Sequence, residues 1–146
     1  MNESSRGRIL NADHASQIID YSDIIINKIT PTNIDGYMDV WGKGHWFFEA
    51  KYGNSIPARG QRLAFERLAD KTCPFSVYII ASHNSPAHEP IKASSTIVSE
   101  VRFQKKWIRP ANTMTTQEVT GRFIRYLIHG GSGEAFCASL NDAKLS

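Results

Sequence analysis

The run Phe75-Ser76-Val77-Tyr78-Ile79-Ile80-Ala81 carries apolar side chains on both of its alternating faces. A strand with one wet face alternates apolar with polar residues. A strand apolar on both sides belongs in the middle of a sheet that is covered on both sides. A chain built around such a strand must supply helices to both faces.

The rest of the chain offers the pieces. Asn11 caps a short helix through Ile19. Asp23 to Ile29, with its three consecutive isoleucines, suits a strand or a buried helical turn equally, and Thr30-Pro31-Thr32 breaks it. Ile34–Val40 and His45–Tyr52 read as a hairpin around Gly42-Lys43-Gly44. Arg59–Lys71 reads as a helix with Ala64, Phe65 and Leu68 on one face and Arg62, Glu66 and Asp70 on another. After the central strand and a loop from His83 to Pro90, Thr96–Phe103 is a further strand, continued into Lys106–Ile108. Thr115 and Glu118 form a capping box for a last helix reaching about Ile128. Gly130-Gly131-Ser132-Gly133 starts a flexible tail over about residues 130–146, matched by a flexible N-terminus over about 1–10. The expectation is a single domain, 1–146, of the α/β class: a sandwich with a mixed central sheet flanked by helices.

Composition removes several classes. With 146 residues, 41% of them hydrophobic, the chain is long and apolar enough to bury a core, so disorder throughout is excluded. No stretch approaches the ~20 apolar residues of a membrane span. Met1 to Leu10 lacks the apolar core of a secretory signal, and Cys73 and Cys137 form neither a CxxC nor a Cys/His pattern. The expected setting is reducing cytoplasm, without a membrane partner.

The hairpin carries the candidate chemistry. If Gly42-Lys43-Gly44 is a three-residue loop with Gly44 in the left-handed position, Trp41 faces His45, Tyr37 faces Glu49 and Asp35 faces Lys51. Asp35, Glu49 and Lys51 then share one face, because residues two apart on a strand point the same way. Asp39 shares that face but pairs with Phe47, a full pleat from Glu49. A two-residue loop shifts the register and turns Asp35 away. Two carboxylates without His or Cys at ligand spacing favour a hard ion, Mg²⁺ or Mn²⁺ over Zn²⁺. A lysine beside that ion can orient an attacking water or neutralise charge on a phosphoryl transition state. Trp46, Phe47 and Phe48 make the strand heavily apolar, and an acid and a lysine on such a strand need a reason, since unpaired buried charge is costly. The competing reading is a surface hairpin with ordinary cross-strand charge pairs. Gln61, seven residues before Leu68, points from the helix towards the sheet.

Three blocks carry a resemblance. Thr30-Pro31-Thr32-Asn33-Ile34-Asp35-Gly36, Phe48-Glu49-Ala50-Lys51-Tyr52-Gly53 and Arg59-Gly60-Gln61-Arg62-Leu63-Ala64-Phe65-Glu66-Arg67-Leu68 together resemble the PD-(D/E)xK nuclease superfamily, in particular small phage- or prophage-encoded members, over about residues 20–72. The resemblance implies a restriction-endonuclease-like αβ core and Mg²⁺-dependent cleavage of DNA. It implies Asp35 and Glu49 as metal ligands, Lys51 as the catalytic lysine and Gln61 as an auxiliary polar residue. Relatives often read Thr-Asp-Ile-Asp-Gly, and here Asn33 stands at the first acid, which removes a charge from the site. Many members add an acid from a first helix; Glu3, Asp13, Asp20 and Asp23 are the candidates.

Between Val101 and Ile128 lie six basic residues and one acid. Lys105, Lys106 and Arg109 interleave with Trp107 as phosphate-tracking surfaces do, and Arg59 and Arg62 add charge near the hairpin. The expected partner is DNA, with a homodimer possible for double-strand cutting. The alternative is a catalytically silent nuclease-fold module that binds DNA or a protein.

Overall fold

The computed structural model describes residues 19–20, 23–24, 26–29 and 31–141. The expected helix between Asn11 and Ile19 and the N-terminal residues 1–10 lie largely outside the described residues. The chain divides into two units at Asn33/Ile34. In the first, Ile26 and Ile29 exchange backbone hydrogen bonds of 3.2 and 2.8 Å across Asn27 and Lys28, both at positive φ, so the isoleucine run ends in a two-residue turn.

The second unit holds a five-stranded sheet in sequential order, β1 (Gly36–Asp39), β2 (His45–Tyr52), β3 (Ser76–His83), β4 (Ile97–Phe103) and β5 (Lys106–Ile108). β2 and β3 are parallel and the other pairs antiparallel, so the sheet is mixed. The parallel pair needs a crossover, and α1 (Arg59–Lys71) supplies it. β3 is the middle strand, and Val77, Tyr78, Ile79 and Ala81 are fully enclosed, as the two-sided apolar run requires. On one face Phe47, Tyr78 and Ile80 pack with Phe65 and Ala69 of α1 and with Trp107. On the other, Val77, Ile79, Val101 and Phe103 join a larger core with side chains of α2 (Thr116–His129) and α3 (Gly133–Asn141).

Thr115 caps α2 as expected, its side chain accepting from the Glu118 amide at 3.2 Å, and Gly130 ends the helix in the left-handed conformation. Three expectations need correction. Residues 133–141 are a helix, not a flexible tail: Ser132 accepts from the Ala135 amide at 3.0 Å, and Phe136 and Leu140, one turn apart, are buried. Lys106–Ile108 does not extend β4 but folds back on it through Gln104 and Lys105, both at positive φ. On α1, Ala64 and Leu68 are exposed, while Arg62, Glu66 and Asp70 are half-buried. That charged stripe faces the sheet because β4 and β5 offer it partners. Arg62 meets Glu100 at 2.6 Å, Asp70 meets Arg102 at 2.7 Å, and Glu66 accepts from the Trp107 indole at 3.1 Å. Paired charges cost far less to cover than lone ones.

Candidate functional site: a two-carboxylate cluster on the β1–β2 hairpin

The hairpin register differs from the expected one, yet the face assignment survives. Trp41 and Gly42 both have positive φ, and the Lys43 amide donates to the Val40 carbonyl at 2.9 Å, so the turn proper has two residues. The Val40 amide then donates to the Gly44 carbonyl at 2.9 Å. Val40 therefore opposes both Lys43 and Gly44, which is a bulge. A bare two-residue loop would have turned Asp35 away, and the extra bulge residue restores the parity. Asp39 pairs with His45 and Tyr37 with Phe47, which puts Asp35 beside Glu49 instead of Lys51. Gly44 is not left-handed. It is glycine for want of room, because a Cβ would collide with the Phe75 carbonyl and lie 2.7 Å from a Leu127 methyl.

Asp35 Oδ2 accepts from the Ala50 amide at 2.9 Å, the residue between Glu49 and Lys51. Glu49 is 2% exposed. Its Oε1 pairs with Lys51 Nζ at 2.7 Å, and its Oε2 is buried without a hydrogen-bond partner among the described residues. Burial pushes the Glu49 carboxyl above its ordinary value. The Lys51 hydrogen bond pulls it down, and the neighbouring Asp35 carboxylate pushes it up again. The structure thus brings Asp35 and Lys51 each against Glu49. Asp39 is engaged in the turn instead: its two oxygens accept from the Gly42 amide at 3.1 and 3.2 Å.

No family model, curated protein or solved structure matches the chain.

The orphaned Glu49 oxygen beside a second carboxylate is an all-oxygen, anionic donor pair. That fits a hard divalent cation such as Mg²⁺ or Mn²⁺ and does not fit a soft one. Asp35 and Glu49 are the residues that would hold it. Among the described residues no third His, Cys, Asp or Glu joins them.

Gln61 is half-buried in the first turn of α1. The expected reason, a shared face with Leu68, fails because Leu68 is itself exposed. Gln61 instead falls on the stripe of Phe65 and Ala69, spaced four apart along the inward side.

The basic residues do not form one surface. Arg59 is exposed at the start of α1, which follows the C-terminal end of β2 and so lies at the Lys51 end of the sheet. Arg62 is engaged by Glu100 and lies 4.0 Å over the Trp107 ring. Arg109 is largely exposed and approaches Glu100 at 3.4 Å. Lys106 pairs in register with Phe103, whose side chain belongs to the α2–α3 core, so it points away from the carboxylate face. Lys105 sits in the β4–β5 turn at the far end of β3 from Lys51.

Two residues on the carboxylate face escaped the sequence reading. Glu100 gathers Arg62 and Arg109. Tyr78 has a fully buried hydroxyl without a hydrogen-bond partner among the described residues, pushed up by burial and by the Glu49 charge. The available signal was its hydroxyl inside an otherwise apolar run.

Proposed function

We propose that this chain is a metal-dependent DNA endonuclease of the PD-(D/E)xK type, with a restriction-endonuclease-like core. The observation that carries the reading is Glu49: an acid on the core-facing side of a sheet strand, with one oxygen on Lys51 and the other, without a hydrogen-bond partner by geometry among the described residues, beside the Asp35 carboxylate. An unpaired buried carboxylate oxygen costs stability and persists where function uses it. The hairpin, the crossover helix and the central buried strand support the reading from the side of architecture.

A divalent ion held by Asp35 and Glu49 would neutralise phosphate charge and acidify a water at neutral pH. Glu49 and Asp35 supply the negative charge. The Ala50 amide fixes the Asp35 carboxylate in place, so little reorganisation is needed on binding. Lys51 is about a quarter exposed and reaches solvent from the Glu49 carboxylate. Its ammonium donates to a non-bridging phosphate oxygen or to the attacking water. Arg59 attracts the phosphate backbone from the same end of the sheet.

A second reading is a catalytically silent nuclease-fold module that binds DNA or a protein. It is supported by the Lys51–Glu49 pair, which neutralises Glu49 with a cation of the chain itself. One experiment decides between them: incubation of plasmid, single-stranded and branched DNA with the protein in Mg²⁺, Mn²⁺ or EDTA. The nuclease reading requires cleavage that EDTA abolishes and that Glu49→Gln lacks. Binding without cleavage in every metal favours the silent module.

A further inference from the structure

Beyond Lys51 the strand β2 ends in Tyr52, whose side chain is 63% exposed. It points to the sheet face opposite Lys51, because neighbours on a strand alternate. Its register partner His83 meets it edge-on, with ring centroids 5.7 Å apart. The two rings form one wall of a cavity of about 400 Å³ lined also by Pro86, Ala87, Ile91 and Glu89, the last shared with the neighbouring polar cavity. His83 also borders a second cavity of about 410 Å³ that is polar, where Ser82, Asn84, Glu89, Lys92 and Thr96 contribute. Ser82 is the register partner of Lys51. Both cavities therefore open at the end of the sheet that carries the carboxylate cluster, and each falls within the ~300–1,000 Å³ of small-ligand sites.

We infer that these cavities form a binding site for an unpaired nucleobase. The inference rests on the nuclease reading only for its location; it specifies the form of DNA engaged, a strand with at least one unstacked base. The apolar cavity offers an aromatic ring for stacking, the interaction by which proteins hold unpaired bases. The polar cavity offers a carboxylate from Glu89 and an amide from Asn84 for a base edge that pairing would otherwise occupy, and Lys92 for a phosphate. A continuous duplex keeps its bases stacked inside and can present only its backbone here. Tyr52 and Lys51 lie on opposite faces of the same strand end, so a DNA strand that reaches both must pass round the end of β2.

The test is fluorescence anisotropy with a labelled single-stranded dodecamer, the same strand carrying abasic positions, and the blunt duplex, all in EDTA so that cleavage plays no part. Wild type should prefer the single strand to its abasic version. Tyr52→Ala should lose about tenfold or more in single-strand affinity, Tyr52→Phe should restore it, and duplex affinity should stay unchanged. The inference is overturned if wild type ignores the abasic substitution. It is also overturned if Tyr52→Ala binds the single strand as wild type does, or weakens duplex binding equally. The two readings fail separately. Absence of cleavage with the Tyr52 effect intact removes the nuclease and leaves the base site. Duplex cleavage with a silent Tyr52→Ala does the reverse.

Discussion

Asp35 is fastened to the strand that carries Glu49: its Oδ2 accepts from the Ala50 amide at 2.9 Å. Asp39, on the same face, spends its carboxylate on the Gly42 amide. The two acids therefore have different uses. Asp35→Asn should lower metal-dependent cleavage by roughly 10²-fold or more with an unchanged melting curve. Asp39→Ala should leave cleavage near wild type and cost about 1 kcal/mol of stability for the lost turn bond. Initial rates and urea denaturation of both variants check the ranking, and the opposite order would make Asp39 the ligand.

Glu49 should make stability pH-dependent in an unusual sense. Its folded carboxyl lies above the ordinary value of 4.5, chiefly through burial. Between the unfolded and folded values the folded state binds more protons, so stability falls as pH rises through that window. Most buried carboxylates paired in the native state act in the opposite direction. Glu49→Gln should flatten this part of the profile. Added Mg²⁺ should raise stability above the window, because it binds only the ionised form. Denaturation midpoints measured with and without Mg²⁺ from pH 4 upward test both signs.

Lys51 should matter for turnover more than for affinity. Removing an ammonium that acts on the transition state takes away rate and leaves ground-state binding nearly intact. Lys51→Ala should therefore bind DNA with close to wild-type affinity and fail to cleave it. Equal losses in binding and rate would place Lys51 in phosphate attraction instead.

The β4–β5 turn should contribute little to DNA binding. Phe103 pairs with Val77 and Lys51 with Ser82, so this turn is displaced from the site by about 17 Å along β3, at ~3.3 Å per residue. Substituting Lys105 and Lys106 together by Ala should change the slope of log affinity against log salt by less than one unit. Arg59→Ala, at the site end, should remove about one unit. Salt titrations of DNA binding distinguish the two.

The C-terminal helix should be part of the folding unit. Phe136 is 4% exposed and meets Phe103 edge-on at a centroid distance of 4.8 Å. Phe136→Ala should cost roughly 3–5 kcal/mol, the usual loss for emptying a buried aromatic position. A variant ending at Gly130 should unfold at far lower urea. If residues 133–141 were a solvated tail, neither change would register.

Local pattern alone determined much of this protein. The two-sided run at Val77–Ala81 demanded a covered central strand, Thr115 with Glu118 marked the start of a helix, and period-two spacing put Glu49 and Lys51 on one face. Each follows from periodicity or from hydrogen bonds between residues close in sequence. The tertiary structure decided the rest. Whether the hairpin turn keeps Asp35 on that face depended on a bulge at Lys43-Gly44, whose Gly44 backbone passes against Phe75 and Leu127. The charged stripe of α1 turned towards the sheet because Glu100, Arg102 and Trp107, distant in sequence, were there to pair with it. Residues 133–141 became a helix because the core beside Phe103 had room for Phe136 and Leu140. Such outcomes depend on partners thirty or more residues away, and a helical or strand period carries no record of them.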